Sequence, residues 1–235
     1  MRYGAGSGAS MFSDIVGYLS SASNRAKVLE LLGEHVVLAV VPLLIGLAVA
    51  VPLGWAGQRM RWLRAAVLGS ASVLYTVPSL ALFVIMPSIL GTRILDGTNV
   101  VAALALYTSA LLVRPVVDAL DAVPGHVVAA ATSMGYQPVR RFVTIELPMA
   151  VPALTAGVRV ASVSNISLVS VGALIGIGGL GQLFTEGFQT QYLAPIMIGI
   201  VLTIVLAIAM DLLLVGLRRV STPWARAQQG AGAGR

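Results

Sequence analysis

Charge is rare in this sequence, so each ionisable residue inside an apolar run is a candidate for chemistry. Arg159 stands about 11 residues, or ~16 Å of helix, into an apolar stretch from Pro148 to about Ile175. A guanidinium at that depth must face protein or water, because hydrocarbon does not solvate it. Ser162 and Ser170 share its helical face, and Asn165 is near. Asp118 and Asp211 are the acids available to pair with it. The set reads either as a structural ion pair or as the polar lining of a solute path. A second set is Tyr75, Thr76, Pro78 and Ser79. Pro78 has no N–H, so the carbonyl of Leu74 loses its helical partner. Thr76 and Ser79 can satisfy freed groups nearby. A helix kinked in this way suits a cavity wall or a packing bend, with Tyr75 and Ser79 as the exposed chemistry.

Other chemistries are excluded. There is no cysteine, hence no disulfide and no Cys-ligated zinc or iron–sulfur site. His35 and His126 stand alone, so no metal site is expected. The phosphate-cradling pattern G-x-x-x-x-G-K-[ST] does not occur, so nucleotide must bind on another protein. The net charge is +6, yet Arg and Lys lie mostly between apolar runs rather than interleaved with aromatics, so no nucleic-acid partner is expected.

The elements that must position these residues are membrane helices. Hydrophobic residues make up 57% of the 235-residue chain and charged residues 10%. Soluble domains carry about 25% charged residues. Five apolar runs are long enough to cross a ~30 Å hydrocarbon core. They span roughly 36–56, 65–90, 100–117, 148–175 and 193–217. Pro42, Pro52, Pro78 and Pro87 fall inside the first two, which membrane helices tolerate. Before them, Met11, Phe12, Ile15, Val16 and Leu19 recur at helical spacing, as in an amphipathic helix on a membrane surface. Asn24 is placed to cap a second short helix through Leu32. Met1 to Ser10 are Gly/Ser-rich and no signal-peptide core follows directly, so no cleaved leader is expected. The expected division is an interfacial segment 1–34, a membrane domain 35–217 and a cytoplasmic tail 218–235.

With five spans, Arg59, Arg61, Arg64, Arg140, Arg141, Arg218, Arg219, Arg226 and Arg235 share one side. Positive charge concentrates on the cytoplasmic side, which puts the amino terminus outside and the carboxyl terminus in the cytoplasm. An odd number of spans does not divide into two equal inverted halves. A path on a two-fold axis between two chains fits better.

One polar connection, 124–148, lies on that cytoplasmic side. Pro124 and Gly125 make a turn, and residues 126–134 form a short helix containing Ala129, Ala130 and Ala131. Gly135 sits where a helix end needs positive φ, and Pro138 suits the first turn of a second helix. Phe142, Val143 and Ile145 give that helix an apolar face, and Pro148 and Pro152 begin the next span. Short helices of this kind need a docking surface.

These residues carry a resemblance. Ala129-Ala-Ala, Gly135 after three residues, and Ile145-x-Leu147-Pro148 after nine more resemble the EAA loop of ABC importer permeases. The family's glutamate is Ala129 here, so its contact with the ATPase does not carry over. The resemblance covers about residues 35–225 and is nearest to the osmoprotectant group. It rests on Tyr75-Thr-Val-Pro-Ser-Leu-Ala-Leu82, Gly176-Ile-Gly-Gly-Leu-Gly181 and Thr222-Pro-Trp224. The glycine segment also resembles methionine-type permeases.

What the resemblance implies is an all-α permease of the type I importer fold in a bacterial inner membrane. Two permease chains, identical or related, would form one path for glycine betaine, choline or carnitine. Two ATPase subunits would dock at Ala129, Ala130, Ala131, Gly135, Tyr136, Pro138, Ile145, Leu147 and Pro148. ATP and magnesium would be bound by those subunits, with no cofactor and no hydrolysis on this chain. An extracytoplasmic binding protein would deliver the solute. The path candidates are Tyr75, Pro78, Ser79, Arg159, Ser162 and Asn165. Aromatics that could cage a quaternary ammonium are few in the spans, Tyr75, Phe83 and Tyr107 among them, so selectivity is expected in the binding protein. A permease for an amino acid such as methionine, an ATP-independent channel or carrier, and a non-transport scaffold are the alternatives.

Overall fold

The computed structural model describes residues 8–223. Its helices are α1 (Gly8–Ser20), α2 (Ala22–Arg59), α3 (Arg61–Thr76), α4 (Ser79–Leu90) and α5 (Gly97–Asp121). The loop follows as α6 (Gly125–Ser133), α7 (Pro138–Arg141) and a π turn (Phe142–Glu146). Then come α8 (Leu147–Gly172), a 3₁₀ turn (Ala173–Ile175), α9 (Gly181–Thr190) and α10 (Leu193–Ser221). Among the described residues, α2, α5, α10 and the run Pro138–Ile175 are each long and apolar enough to cross a membrane. Helices α3 and α4 together are apolar and long enough for a fifth, bent by 104° at the break between them. The all-α expectation with five spans therefore holds. The expected residues Trp224, Arg226 and Arg235, and most of the Gly/Ser-rich start, lie outside the described residues.

Local chemistry explains where these elements break. Val77 and Pro78 are both extended, at ψ 130°. A residue before proline is pushed out of the helical region, so the break falls there. The carbonyl of Leu74, which Pro78 cannot reach, accepts the Val77 N–H at 3.1 Å. Thr76 Oγ1 donates to the Val73 carbonyl at 2.6 Å. The Val77 carbonyl accepts the Tyr107 hydroxyl.

The amino-terminal expectation is corrected. No separate helix ends near Leu32, because α2 runs unbroken from Ala22 through Pro42 and Pro52. Asn24 does not cap it. Its amide donates back to the Tyr18 carbonyl at 3.0 Å, and Arg25 Nη1 donates to the Leu19 and Ser20 carbonyls, each at 2.8 Å. These side chains satisfy the open carbonyl end of α1. The apolar repeat of α1 is split: Ile15 and Leu19 pack inward, whereas Phe12 and Val16 are exposed.

The chain divides into two compact units: Met1–Pro42, Pro78–Leu104 and Ser164–Ile208; and Leu43–Val77, Ala105–Val163 and Ala209–Arg235. In the first, Tyr18, Val28, Leu31, Leu180, Leu183, Ala194 and Ile198 form a core. In the second, the core runs from Leu43 and Ala50 through Leu112, Val116 and Leu120 to Phe142, Leu154 and Ala161. Close approach in this second unit depends on small residues, as in other membrane packings. A Cβ on Gly46 would lie 2.5 Å from Thr108 Cβ, one on Gly54 2.5 Å from Val116 Cγ1, and one on Gly157 2.5 Å from Pro115 Cβ. On α5, Leu106, Arg114 and Asp118 are exposed, at i, i+8 and i+12, while most neighbouring positions are buried.

Candidate functional site

The loop is built from the residues that its sequence singles out. Pro124 caps α6 in extended backbone, and its carbonyl accepts the Val127 N–H at 3.0 Å. Helix α6 closes on Gly135, whose φ of +82° is left-handed, and glycine holds it without a Cβ penalty. The Gly135 N–H donates to Thr132 and the Tyr136 N–H to Ala131, which satisfies the helix's last carbonyls. Pro138 opens α7 at its first turn.

The second half of the loop differs from the expectation. Helix α7 has 4 residues and ends in no turn. It passes through the π turn directly into α8, so Pro148 and Pro152 lie inside a continuous helical run rather than at its start. The expected apolar face is also divided. Phe142 is buried, Ile145 is half-buried and Val143 is exposed. Phe142 stacks at 4.8 Å on Trp55, whose ring lies 4.4 Å from the Arg59 guanidinium. Arg64 pairs with Asp121 at 2.7 Å.

The three alanines have different surroundings. Ala131 is 1% exposed and its site takes a small side chain. Ala129 and Ala130 face outward. Met134, Val139 and Val143 are exposed as well, at 69%, 62% and 55%, on a loop otherwise rich in polar side chains. Tyr136, half-buried, lies 5.2 Å beneath the Arg140 guanidinium.

Among the path candidates, Arg159 has a defined partner. Its Nε and Nη2 donate to the two carboxylate oxygens of Asp211 at 2.5 and 2.7 Å, a bidentate pair. Asp118 lies instead 3.8 Å from Arg114, one turn away on α5. Both members of the Arg159–Asp211 pair retain exposure, 41% and 30% of the side chain. Ser162 and Asn165 are buried within the chain. The Asn165 amide donates to the Ala39 carbonyl. Tyr75 is exposed and meets Tyr107 edge-on at 6.1 Å, and Ser79 is half-buried at the start of α4. Phe83 is fully buried and the Tyr107 hydroxyl is committed to Val77, so of the three aromatics Tyr75 alone offers an open face. Two cavities of about 440 and 320 Å³ flank Leu111. The first is lined by Pro115, Asp118 and Gly157, the second by Ser72, Tyr75 and Arg114.

Two functional features were not visible in the residue pattern. One is the pairing of Arg141 with Glu146 at 2.6 Å. Residues five apart do not meet on an α-helix, where neighbours are three or four apart. The π turn brings them together, and it has no local sequence signature here. The other is His35, which is 0% exposed. Its Nδ1 accepts the Leu180 N–H at 3.2 Å, so the proton is on Nε2, which donates to the Ile166 carbonyl at 3.0 Å. A lone histidine in an apolar helix gives no sign of two such partners.

Comparison with known proteins matches residues 36–224 to the family described as binding-protein-dependent transport system inner membrane component. An osmoprotectant import permease protein of Salmonella typhimurium, OsmW, is 35% identical over 89% of this chain and 94% of its own. A choline transport system permease protein of Bacillus subtilis, OpuBD, is 28% identical over 89% and 92%. In fold, the chain resembles a subunit of the MetNI methionine ABC transporter at 22% identity, with a TM-score of 0.68 over 80% of this chain and 93% of that one.

Proposed function

The chain belongs to the family of binding-protein-dependent transport system inner membrane components, and from that premise we propose that it forms half of the path of an ATP-driven osmoprotectant importer. The substrate class we propose is a small quaternary-ammonium solute such as glycine betaine, choline or carnitine. The osmoprotectant and choline transport roles of the relatives from Salmonella and Bacillus support it. So does the Tyr75–Leu82 segment.

The observation that carries the transport reading is the loop. Its inner turn is held by Gly135 and Pro138, and apolar side chains stand exposed on it at Met134, Val139 and Val143. Such a surface on a short helix is suited to a groove on a partner. We assign the partner as two ATPase subunits, which bind and hydrolyse ATP with magnesium. The coupling residues are Ala129, Ala130, Ala131, Gly135, Tyr136, Pro138, Ile145, Leu147 and Pro148. A second permease chain completes the path, and a binding protein outside supplies the solute and most of the selectivity. Tyr75, Pro78, Ser79, Arg159, Ser162 and Asn165 are the path residues proposed here. The amino terminus faces outward and the carboxyl terminus inward, by the arginine distribution. A reporter fused after Arg235 is therefore expected to read cytoplasmic, and an extracytoplasmic reading would refute the topology.

The test is co-purification with the ATPase subunit in mild detergent, followed by uptake of radiolabelled glycine betaine in a deletion strain. The wild-type chain retains ATPase and restores uptake. Val139→Asp, which puts a charge into the docking face, weakens ATPase retention by about tenfold or more, since ~1.4 kcal/mol is tenfold in affinity. Retention unchanged by that substitution would remove the loop from the interface. Uptake of methionine in place of betaine would overturn the substrate class.

A further inference from the structure

The loop contains a charge pair, a half-buried Arg141 on a buried Glu146, that its outward face does not use. Glu146 is 4% exposed. Its Oε1 accepts the Arg141 Nε proton at 2.6 Å. Arg141 Nη1 donates to Thr132 Oγ1 at 2.5 Å. The Thr132 hydroxyl gives its own proton to the Val128 carbonyl at 2.8 Å. A continuous chain of hydrogen bonds thus leads from the body of α6, across the turn 134–137, to the last residue of the π turn. Donors and acceptors balance along it: the hydroxyl accepts one and gives one, the guanidinium gives two, and the carboxylate takes one.

The geometry matters because of what the turn lacks. The backbone bonds from Gly135 and Tyr136 close α6 on itself. They do not tie α6 to α7. Ala131 is buried and Val128 packs against the core that holds Phe142, so α6 rests on the span through apolar contacts. The Arg141 bridge adds a directional polar link across a four-residue turn that contains a glycine, and Phe142 packed on Trp55 fixes the π turn from its other side. The acid at 146 is buried and turned inward, whereas the position at the start of the alanine triplet, Ala129, has no carboxylate at all.

We propose that Glu146 is a positioning residue for coupling: through Arg141 and Thr132 it makes α6 and the base of α8 move as one body. A displacement imposed on α6 by a docked ATPase then reaches the span instead of being absorbed in the turn. This inference rests on the reading of the loop as the ATPase docking element.

The test uses the reconstituted complex of permease, ATPase and binding protein in proteoliposomes. The readout is solute imported per ATP hydrolysed, beside the amount of ATPase retained. Glu146→Gln keeps the ATPase but lowers the ratio about tenfold, and Glu146→Asp recovers it to within about twofold. Thr132→Val breaks the chain at its exposed end without disturbing the buried carboxylate, and lowers the ratio about threefold. Where Glu146→Gln fails to accumulate, Thr132→Val decides alone. Wild-type ratios in both variants, or reduced yield with normal ratios in the complexes that survive, would overturn the proposal. A wild-type chain that retains no ATPase overturns the docking reading first, and the variants are then not compared.

Discussion

Replacing Gly179 with alanine is expected to reduce folded chain in the membrane about tenfold or more. Gly179 has φ +48°, a conformation that costs an L side chain about 1–2 kcal/mol. Space is the larger difficulty. An added Cβ would stand 2.6 Å from His35 Cβ, 2.7 Å from its Cα and 2.8 Å from its backbone N. Most of these atoms are backbone, so a rotamer change does not relieve the clash. Overpacking of this kind costs about 1–3 kcal/mol more. The same movement would pull His35 from the Leu180 N–H and the Ile166 carbonyl, both of which lie in the interior. The sum is a large share of a marginal stability. His35→Ala is the milder change: it orphans one buried N–H, at about 1–3 kcal/mol, and strains no backbone. Fluorescence-detected size-exclusion of tagged chains in mild detergent measures both, with a thermal challenge to rank them. Gly179→Ala at wild-type yield and melting temperature would show that the segment before α9 is free to move away from α2.

The second large effect is expected from the Arg159–Asp211 pair. Either Arg159→Ala or Asp211→Ala leaves one charge in an apolar span with no partner, and membrane assembly falls steeply. Reversing the pair, Arg159→Asp with Asp211→Arg, restores assembly to at least about half of wild type, because the charges remain matched. Uptake separates the two roles. Both side chains are partly exposed, and an exposed charge in a span faces water or protein rather than lipid. If the pair borders the path, the reversed chain assembles but imports poorly. If it is structural alone, import returns with assembly. Assembly unchanged in both single variants would sink the pair as a packing determinant.

Much of this molecule was legible in its residues for physical reasons. Apolar runs of membrane-crossing length admit few readings, so the five spans followed from composition. Gly135 and Pro138 mark a helix end and a helix start through properties of their own backbones, and the turn between α6 and α7 falls where they put it. Pro78 located the break in the second span by the same logic. What escaped depends on partners distant in sequence or on a helix of unusual pitch. Asn24 looked like a cap for what followed, but it caps what preceded, because α1 folds back within hydrogen-bond reach. Arg159 had two acids to choose from, and only the packing of α8 against α10 selects Asp211. Ser162 and Asn165 lie near Arg159 in sequence but are turned into the interior.

The π turn at Phe142–Glu146 has one more consequence. Each π turn holds one residue more than the α turn it replaces. Deleting one residue from it would let the helix heal into regular α geometry, with all that precedes it in nearly the same rotational phase around the axis of α8. A one-residue deletion in the regular helix just beyond, between Leu147 and Val151, would instead turn everything before it by about 100°. Met134, Val139 and Val143 would then face a different quadrant with every side chain still intact. Docking in this chain is thus sensitive to a count of residues as well as to their kinds, and the π turn is a place where that count can change by one without moving the docking face.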